Sequence, residues 1–329
     1  MTEQPNTEPA NAGEPDEAAS PGRARIILAG GSGFIGRRLA AVLGGAGYDV
    51  VILTRGRVKP PVGPISFFSW QPDSLESTDA PSGAEEADAL AQLISGSHAV
   101  VNLCGESIGG PRWSEKRKAL LVASRVAPTE ALVRATNLAA EPPALFVQAS
   151  GVGYYGPGNK AVDESSGAGG DFLANLAGQW EAPLQSLREE VRPVIARLGV
   201  VLGKGGGALA QMLMPFRLFV GGPIAKGTQW LSWIHLHDAA AIIKALLEDP
   251  DSRGIYNLVA PNPVRNADFA EAAGAALGRP TWMITPRFLL TTLLGEQATL
   301  VCDGQRAVST RLEHNFQYPD IKVALADLV

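Results

Sequence analysis

Gly30, Gly31, Gly33 and Gly36 stand between an apolar run ending at Ala29 and a run in which Leu39, Val42 and Leu43 recur at helical spacing. Strand, glycine turn and helix in that order make a phosphate site. Glycine lets the backbone turn with φ > 0 and approach a pyrophosphate with no Cβ in the way. The amino end of the helix adds unpaired N–H groups and the positive end of its dipole. Strand composition resumes over Tyr48–Leu53 and ends at Thr54 and Arg55, about 20 residues past the turn, where a dinucleotide's ribose is read. A carboxylate there would accept from a free 2′-hydroxyl, whereas Arg55 can pair with a 2′-phosphate, so the expected cofactor is NADP(H). The expected contact set is Gly30, Ser32, Gly33, Phe34, Ile35 and Gly36 in the turn, with Thr54 and Arg55 at the strand end. A plain flexible turn and a solvated arginine are the bland alternatives.

These residues need a sheet to hold them, and the rest of the chain supplies its pattern. Ile65–Phe68, Ala99–Leu103, Leu145–Ser150 and Val194–Leu198 are short apolar runs without strict alternation, as in strands buried on both faces. Between them, Glu115–Leu138, Phe172–Glu190 and His237–Glu248 carry apolar residues at helical period. The pattern predicts an α/β fold with a doubly wound parallel sheet and a smaller carboxy-terminal domain on the substrate side. Gly56–Gly83, rich in Pro, Ser and Asp, reads as a surface path with one strand.

At 329 residues, 46% hydrophobic and 19% charged, the chain can bury a large core. Residues 1–22 hold five acids and no Lys or Arg, the composition of a disordered acidic tail. The dinucleotide-binding domain is placed at 23–250 and the carboxy-terminal domain at 251–329. Without the tail the chain has 28 acids and 28 bases. That balance announces neither a nucleic-acid groove nor a membrane surface, and leaves an unidentified small-molecule substrate as the expected partner. Cys104 and Cys302 are too few for a disulfide framework, and histidines 98, 235, 237 and 314 lack zinc spacing, so no metal is expected. With no signal peptide and no apolar stretch of about 20 residues, a cytoplasmic location is expected.

The segments GGSGFIG (30–36), LTR (53–55), VVNLCGESIGGPRW (100–113), SRV (124–126), SGVGYYG (150–156), ARLGVVLGKGGGAL (196–209) and GTQWLSWIHLHD (227–238) carry a family resemblance. The chain resembles the extended short-chain dehydrogenase/reductases of Rossmann fold. Among them it is similar to the atypical epimerase family proteins, NAD-dependent epimerase/dehydratase-like and sometimes labelled cell-division-inhibitor-like. From about Arg279, RPTWMITPRFLLTTLLGE and YPDIKVALADL resemble that family's carboxy-terminal domain of unknown function, although LEHNFQY (312–318) departs from a glycine-bearing version.

The resemblance implies that Leu103, Cys104 and Gly105 line the cofactor and that Ser150 holds the substrate oxygen. The superfamily also uses a Tyr-x-x-x-Lys pair, in which lysine lowers the tyrosine pKa for proton transfer. In ANLAGQWEAP, Leu176 and Trp180 fall at those two places. The catalytic candidates are therefore Ser150 and Tyr155, with Tyr154 next in line and Lys160 or Lys118 as the source of charge. Arg197, Arg217, Gln229, Trp230 and Trp113 are candidates to face the substrate, with a structural role as the alternative for each. Glycines 203, 205, 206, 207, 221, 222 and 227 bracket a helix-like run beside the cofactor. His235, His237 and Asp238 resemble a triad, but the resemblance puts them at a strand end and helix start, where Asp238 caps or begins the helix, and no G-x-S-x-G elbow is present. Two functions stay open: an NADP(H)-dependent oxidoreductase or epimerase-like enzyme, and a non-catalytic NADP(H)-dependent regulatory or binding protein.

Overall fold

The computed structural model describes residues 23–56, 58–72 and 81–329. The expected tail, 1–22, lies outside the described residues. Seven parallel strands form the main sheet: β1 (Arg25–Ala29), β2 (Asp49–Thr54), β3 (Ile65–Ser69), β4 (Ala99–Asn102), β5 (Leu145–Gly151), β6 (Arg192–Leu198) and β7 (Gly254–Leu258). They lie in the order β7-β6-β5-β4-β1-β2-β3. The order reverses at β1, between β2 on one side and β4 on the other, and this reversal opens a crevice at the carboxyl ends of those strands.

Side chains of β1 alternate between two helical layers, as the two-residue period of a strand requires. Ile26 and Leu28 join a core with Leu39 and Leu43 of α1 (Phe34–Gly45) and Ile242, Ile243 and Leu246 of α6 (Leu236–Glu248). Ile27 and Ala29 face Leu90 and Ile94 of α2 (Pro81–Ile94) and Leu132 of α3 (Glu115–Leu138). The sequence reading passes over α2 because its Pro-Ser-Gly start reads as loop. Proline suits the first helical position, where its missing N–H would have no partner anyway. The helix expected over Phe172–Glu190 ends early: α4 runs Phe172–Glu181 and gives way to a 3₁₀ turn over Ala182–Ser186. Pro183 lacks the N–H that would continue the α ladder.

A third core joins α5 (Leu209–Arg217), α7 (Asn266–Leu277) and the last helix, α9 (Ile321–Leu328), through Leu213, Phe216, Phe269 and Leu325. Helix α8 spans Arg287–Leu294. The chain after residue 250 first adds β7 to the edge of the main sheet and then returns to the segment that follows β5. Arg306 and Ala307 pair in parallel with Ala161 and Val162. Buried Glu164 accepts from the amides of Asn257 and Thr310, each at 3.0 Å, and from the Ser309 hydroxyl. Burial alone would raise the Glu164 pKa, but these hydrogen bonds hold it below the ordinary carboxylate value. Asp238 accepts from the amides of Gln317 and Tyr318 at 2.9 and 3.0 Å.

Asp238 stands in the first turn of α6, at the helix start as expected, but a different residue caps the helix. His235 takes that place, its Nδ1 accepting from the His237 amide at 3.1 Å. The Asp238 carboxylate is 1% exposed and spent on the LEHNFQY segment, whose Tyr318 ring stacks on His235 with centroids 3.8 Å apart.

Candidate cofactor and active site

The glycine turn stands at the sheet's reversal point. Register places Ala29 of β1 beside Leu53 of β2 and Asn102 of β4, so the turn, Thr54–Arg55 and Leu103–Gly105 leave the sheet at one level. Gly30 has φ +76, and a Cβ there would lie 2.7 Å from the Leu103 carbonyl. At Gly36 a Cβ would stand 2.2 Å from the Gly30 carbonyl oxygen, so helix and turn meet backbone to backbone. Gly33, the residue before α1, offers no capping side chain, and no acid stands in the first turn. Its amides and dipole thus face the crevice uncompensated, a cradle that fits an anionic phosphate. Ser32 and Gly33 are exposed, and Phe34 and Ile35 half-buried.

Arg55 is exposed at the end of β2, and its charge lowers the thiol pKa of Cys104 across the crevice. Burial outweighs that pull and raises the Cys104 thiol to about 12, so it stays a neutral lining group. The Leu103–Gly105 turn is held from within: the buried Asn102 side chain donates to Thr129 and Gln148 at 2.9 and 3.0 Å, and accepts from the Cys104 amide at 3.0 Å. Arg125 of α3 braces the same turn by donating to the Glu106 carbonyl at 2.9 Å. Burial lowers its pKa to about 10, which leaves it charged at neutral pH. Its guanidinium lies 4.9 Å from the Trp180 ring centroid. The loop after β6 closes on the other side, where Cβ atoms at Gly203, Gly206 and Gly207 would strike the Phe34 ring at 2.6–2.9 Å.

Ser150 is next to last in β5, beside Arg197 of β6 in register. The Ser150 hydroxyl donates to Glu181 Oε1 at 2.6 Å. Arg197, 1% exposed, donates Nε to the same oxygen at 2.8 Å and Nη2 to Oε2 at 2.7 Å, a bidentate buried pair. Its Nη1 donates to the Tyr155 hydroxyl at 3.1 Å, and that hydroxyl donates to Asn257 Oδ1 at 2.7 Å. Ser150 and Tyr155 are thus joined through Glu181 and Arg197. The Tyr154 ring lies under the guanidinium, 3.4 Å from centroid to Cζ. Burial raises the Tyr155 pKa above the ordinary phenol value, against the lowering effect of its bonds to Arg197 and Asn257.

The lysines considered as its partner are elsewhere. Lys118 pairs with Glu296 and, at 3.4 Å, with Glu115, while Lys160 is exposed. Leu176 is buried with Trp113 and Leu121. Sequence reasoning missed Glu181, Asn257, Asn102 and Arg125. A signal for Glu181 was present, since it falls seven residues after Ala174 and four after Ala177, on the buried face of α4.

Of the residues expected to face the substrate, Arg197 is inside the network and Trp113 is buried, donating to the Ile108 carbonyl at 2.9 Å. Gln229 donates to the Val301 carbonyl at 2.9 Å. Arg217 is exposed, and Trp230 is half-buried with Arg265 stacked on its ring at 3.7 Å.

The profile of the NAD dependent epimerase/dehydratase family matches residues 26–258, and that of a domain of unknown function, DUF1731, matches 285–328. The chain belongs to the NAD dependent epimerase/dehydratase family. Within it, the chain is similar to the mouse epimerase family protein SDR39U1, with 38% identity over 93% of this chain and 99% of that one. An Arabidopsis thaliana homologue of that protein, named as chloroplastic, is 39% identical over 91% of this chain and 85% of its own length. The crystal structure of human SDR39U1 (isoform 2) with NADPH superposes with a TM-score of 0.80 at 36% identity, covering 92% of this chain and 98% of that one. As in the family, the seven-stranded sheet is Rossmann-like, and the carboxy-terminal unit follows it.

Proposed function

We propose that this chain binds NADP(H) and acts on a small molecule as an oxidoreductase or epimerase-like enzyme. The observation that carries the reading is the crevice at the sheet's reversal point, with its Cβ-free cradle at Gly30 and Gly36 and Arg55 at the end of β2. The relative crystallised with NADPH supports it. Gly30, Ser32, Gly33, Phe34, Ile35 and Gly36 would hold the pyrophosphate and Arg55 with Thr54 the 2′-phosphoryl ribose, while Leu103, Cys104 and Gly105 form the opposite wall. When bound, the cofactor supplies or accepts a hydride.

Charge-assisted bonds from Arg55 to a 2′-phosphate make NADPH bind about 1.5–3 kcal/mol more tightly than NADH. Arg55→Asp reverses most of that preference. Fluorescence titration of both cofactors against both proteins tests this, and equal affinities in the unaltered protein overturn it.

For the chemical step we assign Ser150 to hold a substrate oxygen and Tyr155 to move the proton. With its pKa raised, Tyr155 is a neutral phenol at physiological pH and suits proton donation to a carbonyl under reduction. Tyr155→Phe then abolishes turnover of a panel of carbonyl compounds and sugar nucleotides while NADPH affinity is kept. Turnover that survives the substitution makes the tyrosine structural.

A second reading is favoured by one observation: Leu176 and Trp180 stand where a proton-relaying pair is expected, and the hydrogen-bond partners of the Tyr155 hydroxyl are Arg197 and Asn257 rather than a lysine. In that reading the chain is an NADP(H)-dependent regulatory protein, and tight cofactor binding accompanies no turnover on the whole panel. A cytoplasmic site of action is proposed for either case, with both cysteines free.

A further inference from the structure

No Asp or Glu occurs between Glu190 and Asp238, or between Glu271 and Glu296. The even balance of charge over residues 23–329 hides these two basic stretches, and the fold lays them against each other. The Trp282 indole donates to the Phe219 carbonyl at 3.3 Å, the Met283 amide to the Gly221 carbonyl at 3.4 Å, and the Thr285 amide to the Pro223 carbonyl at 3.0 Å. Along this seam large apolar side chains face outward. From the first stretch come Met214, Leu218 and Phe219, 53–65% exposed, and from the second Trp282, Ile284, Phe288 and Leu293, 61–71% exposed. Helix α8 buries none of its residues.

With aromatic side chains of roughly 150–250 Å² each, Trp282, Phe288 and Phe219 alone expose about 400 Å². The aliphatic neighbours carry the face past the roughly 300–600 Å² of the largest apolar patch on an ordinary monomer. Phe219 also adopts φ +63, a left-handed conformation that a bulky aromatic residue rarely takes, and holds it through the 3.0 Å bond of its amide to the Phe216 carbonyl. The strained backbone presents the ring to solvent instead of burying it.

Basic side chains accompany the patch. Arg279 stacks on the Phe219 ring at 4.2 Å, and Arg217 and Lys226 are exposed; among the described residues none of the three has an acidic partner. A second copy placed face to face would set these cations against themselves. We propose that this face docks on an anionic phospholipid surface, with aromatic and aliphatic side chains entering the headgroup boundary and the arginines meeting lipid phosphates and carboxylates. No helix among the described residues is long and apolar enough to cross a membrane, so the contact is peripheral.

The test is flotation of the full chain, with NADPH present, on vesicles of phosphatidylcholine alone and of phosphatidylcholine with about a quarter phosphatidylserine. The expected result is association with the mixed vesicles, a blue shift of tryptophan emission, and release by high salt. Arg217→Glu weakens the association on the order of tenfold, and the paired substitutions Trp282→Ser and Phe288→Ser weaken it at least as much. All three positions are exposed, and an unchanged unfolding midpoint in each variant shows that the fold is intact. Absent or charge-independent binding overturns the proposal. So does a dimer in sedimentation equilibrium that these substitutions dissociate, which would make the face a protein interface.

Discussion

Arg197→Met is expected to cost about 3–5 kcal/mol of folding stability, because it strands the Glu181 carboxylate in a buried site without its cation. Arg197 is 1% and Glu181 9% exposed, and both guanidinium edges are in use, two donors on Glu181 and one on Tyr155. Urea unfolding measures the loss. The double substitution Arg197→Met with Glu181→Leu should recover most of it, since a buried pair replaced by apolar groups of similar volume is often close to neutral. A single substitution costing less than about 1 kcal/mol, as at an exposed pair, would show that the network is not closed to water. Loss of stability without recovery in the double variant would place the damage in Ser150 and Tyr155 instead, whose hydroxyls lose their partners.

Gly36→Val should weaken NADPH binding by two orders of magnitude or more, about 3 kcal/mol, together with a fall in the unfolding midpoint. The added Cβ would sit 2.2 Å from the Gly30 carbonyl oxygen and 2.6 Å from the Gly31 Cα. Both are backbone atoms of the phosphate cradle, so neither can turn aside as a side chain would. Gly45, at the far end of the same helix, has nothing within 4 Å of its Cβ position. Gly45→Ala is therefore the control: it should leave NADPH affinity unchanged and stabilise by roughly 0.5–1 kcal/mol. NADPH titration and thermal unfolding of the pair decide the matter, and an unimpaired Gly36→Val variant would remove the cofactor cradle as described.

What the residues disclosed in advance was local. Glycine spacing, the apolar runs and the helix over Glu115–Leu138 are written in neighbouring residues, and the structure places them as read. Strand β7 was passed over because Gly254–Leu258 is five residues long, follows the turn-like Asp249–Ser252, and becomes recognisable only against β6. Arg197 is a candidate substrate contact in the sequence, with a structural role as the alternative, and the structure buries it in an ion pair. Its carboxylate partner sits on a different element, and such a pair leaves no period in the sequence. The same holds for Asp238, whose carboxylate accepts from amides some 80 residues away at Gln317 and Tyr318, while His235, three residues before it, caps the helix that Asp238 begins.

The ties between Glu164 and Thr310, separated by 146 residues, and between Asp238 and Tyr318, separated by 80, also set an order of assembly. On a ribosome that releases the chain from its amino end, both carboxylates and the β7 edge emerge long before the backbone amides that will bind them. Contacts of such separation form late, because the entropy of closing the intervening loop must be met first. The cofactor turn, whose pieces lie within 30 residues of one another in β1, α1 and β2, can take shape early. During that interval a nascent chain carries a local nucleotide cradle on a sheet whose outer edge is still bare, the state in which chaperones and proteases have their longest opportunity to act.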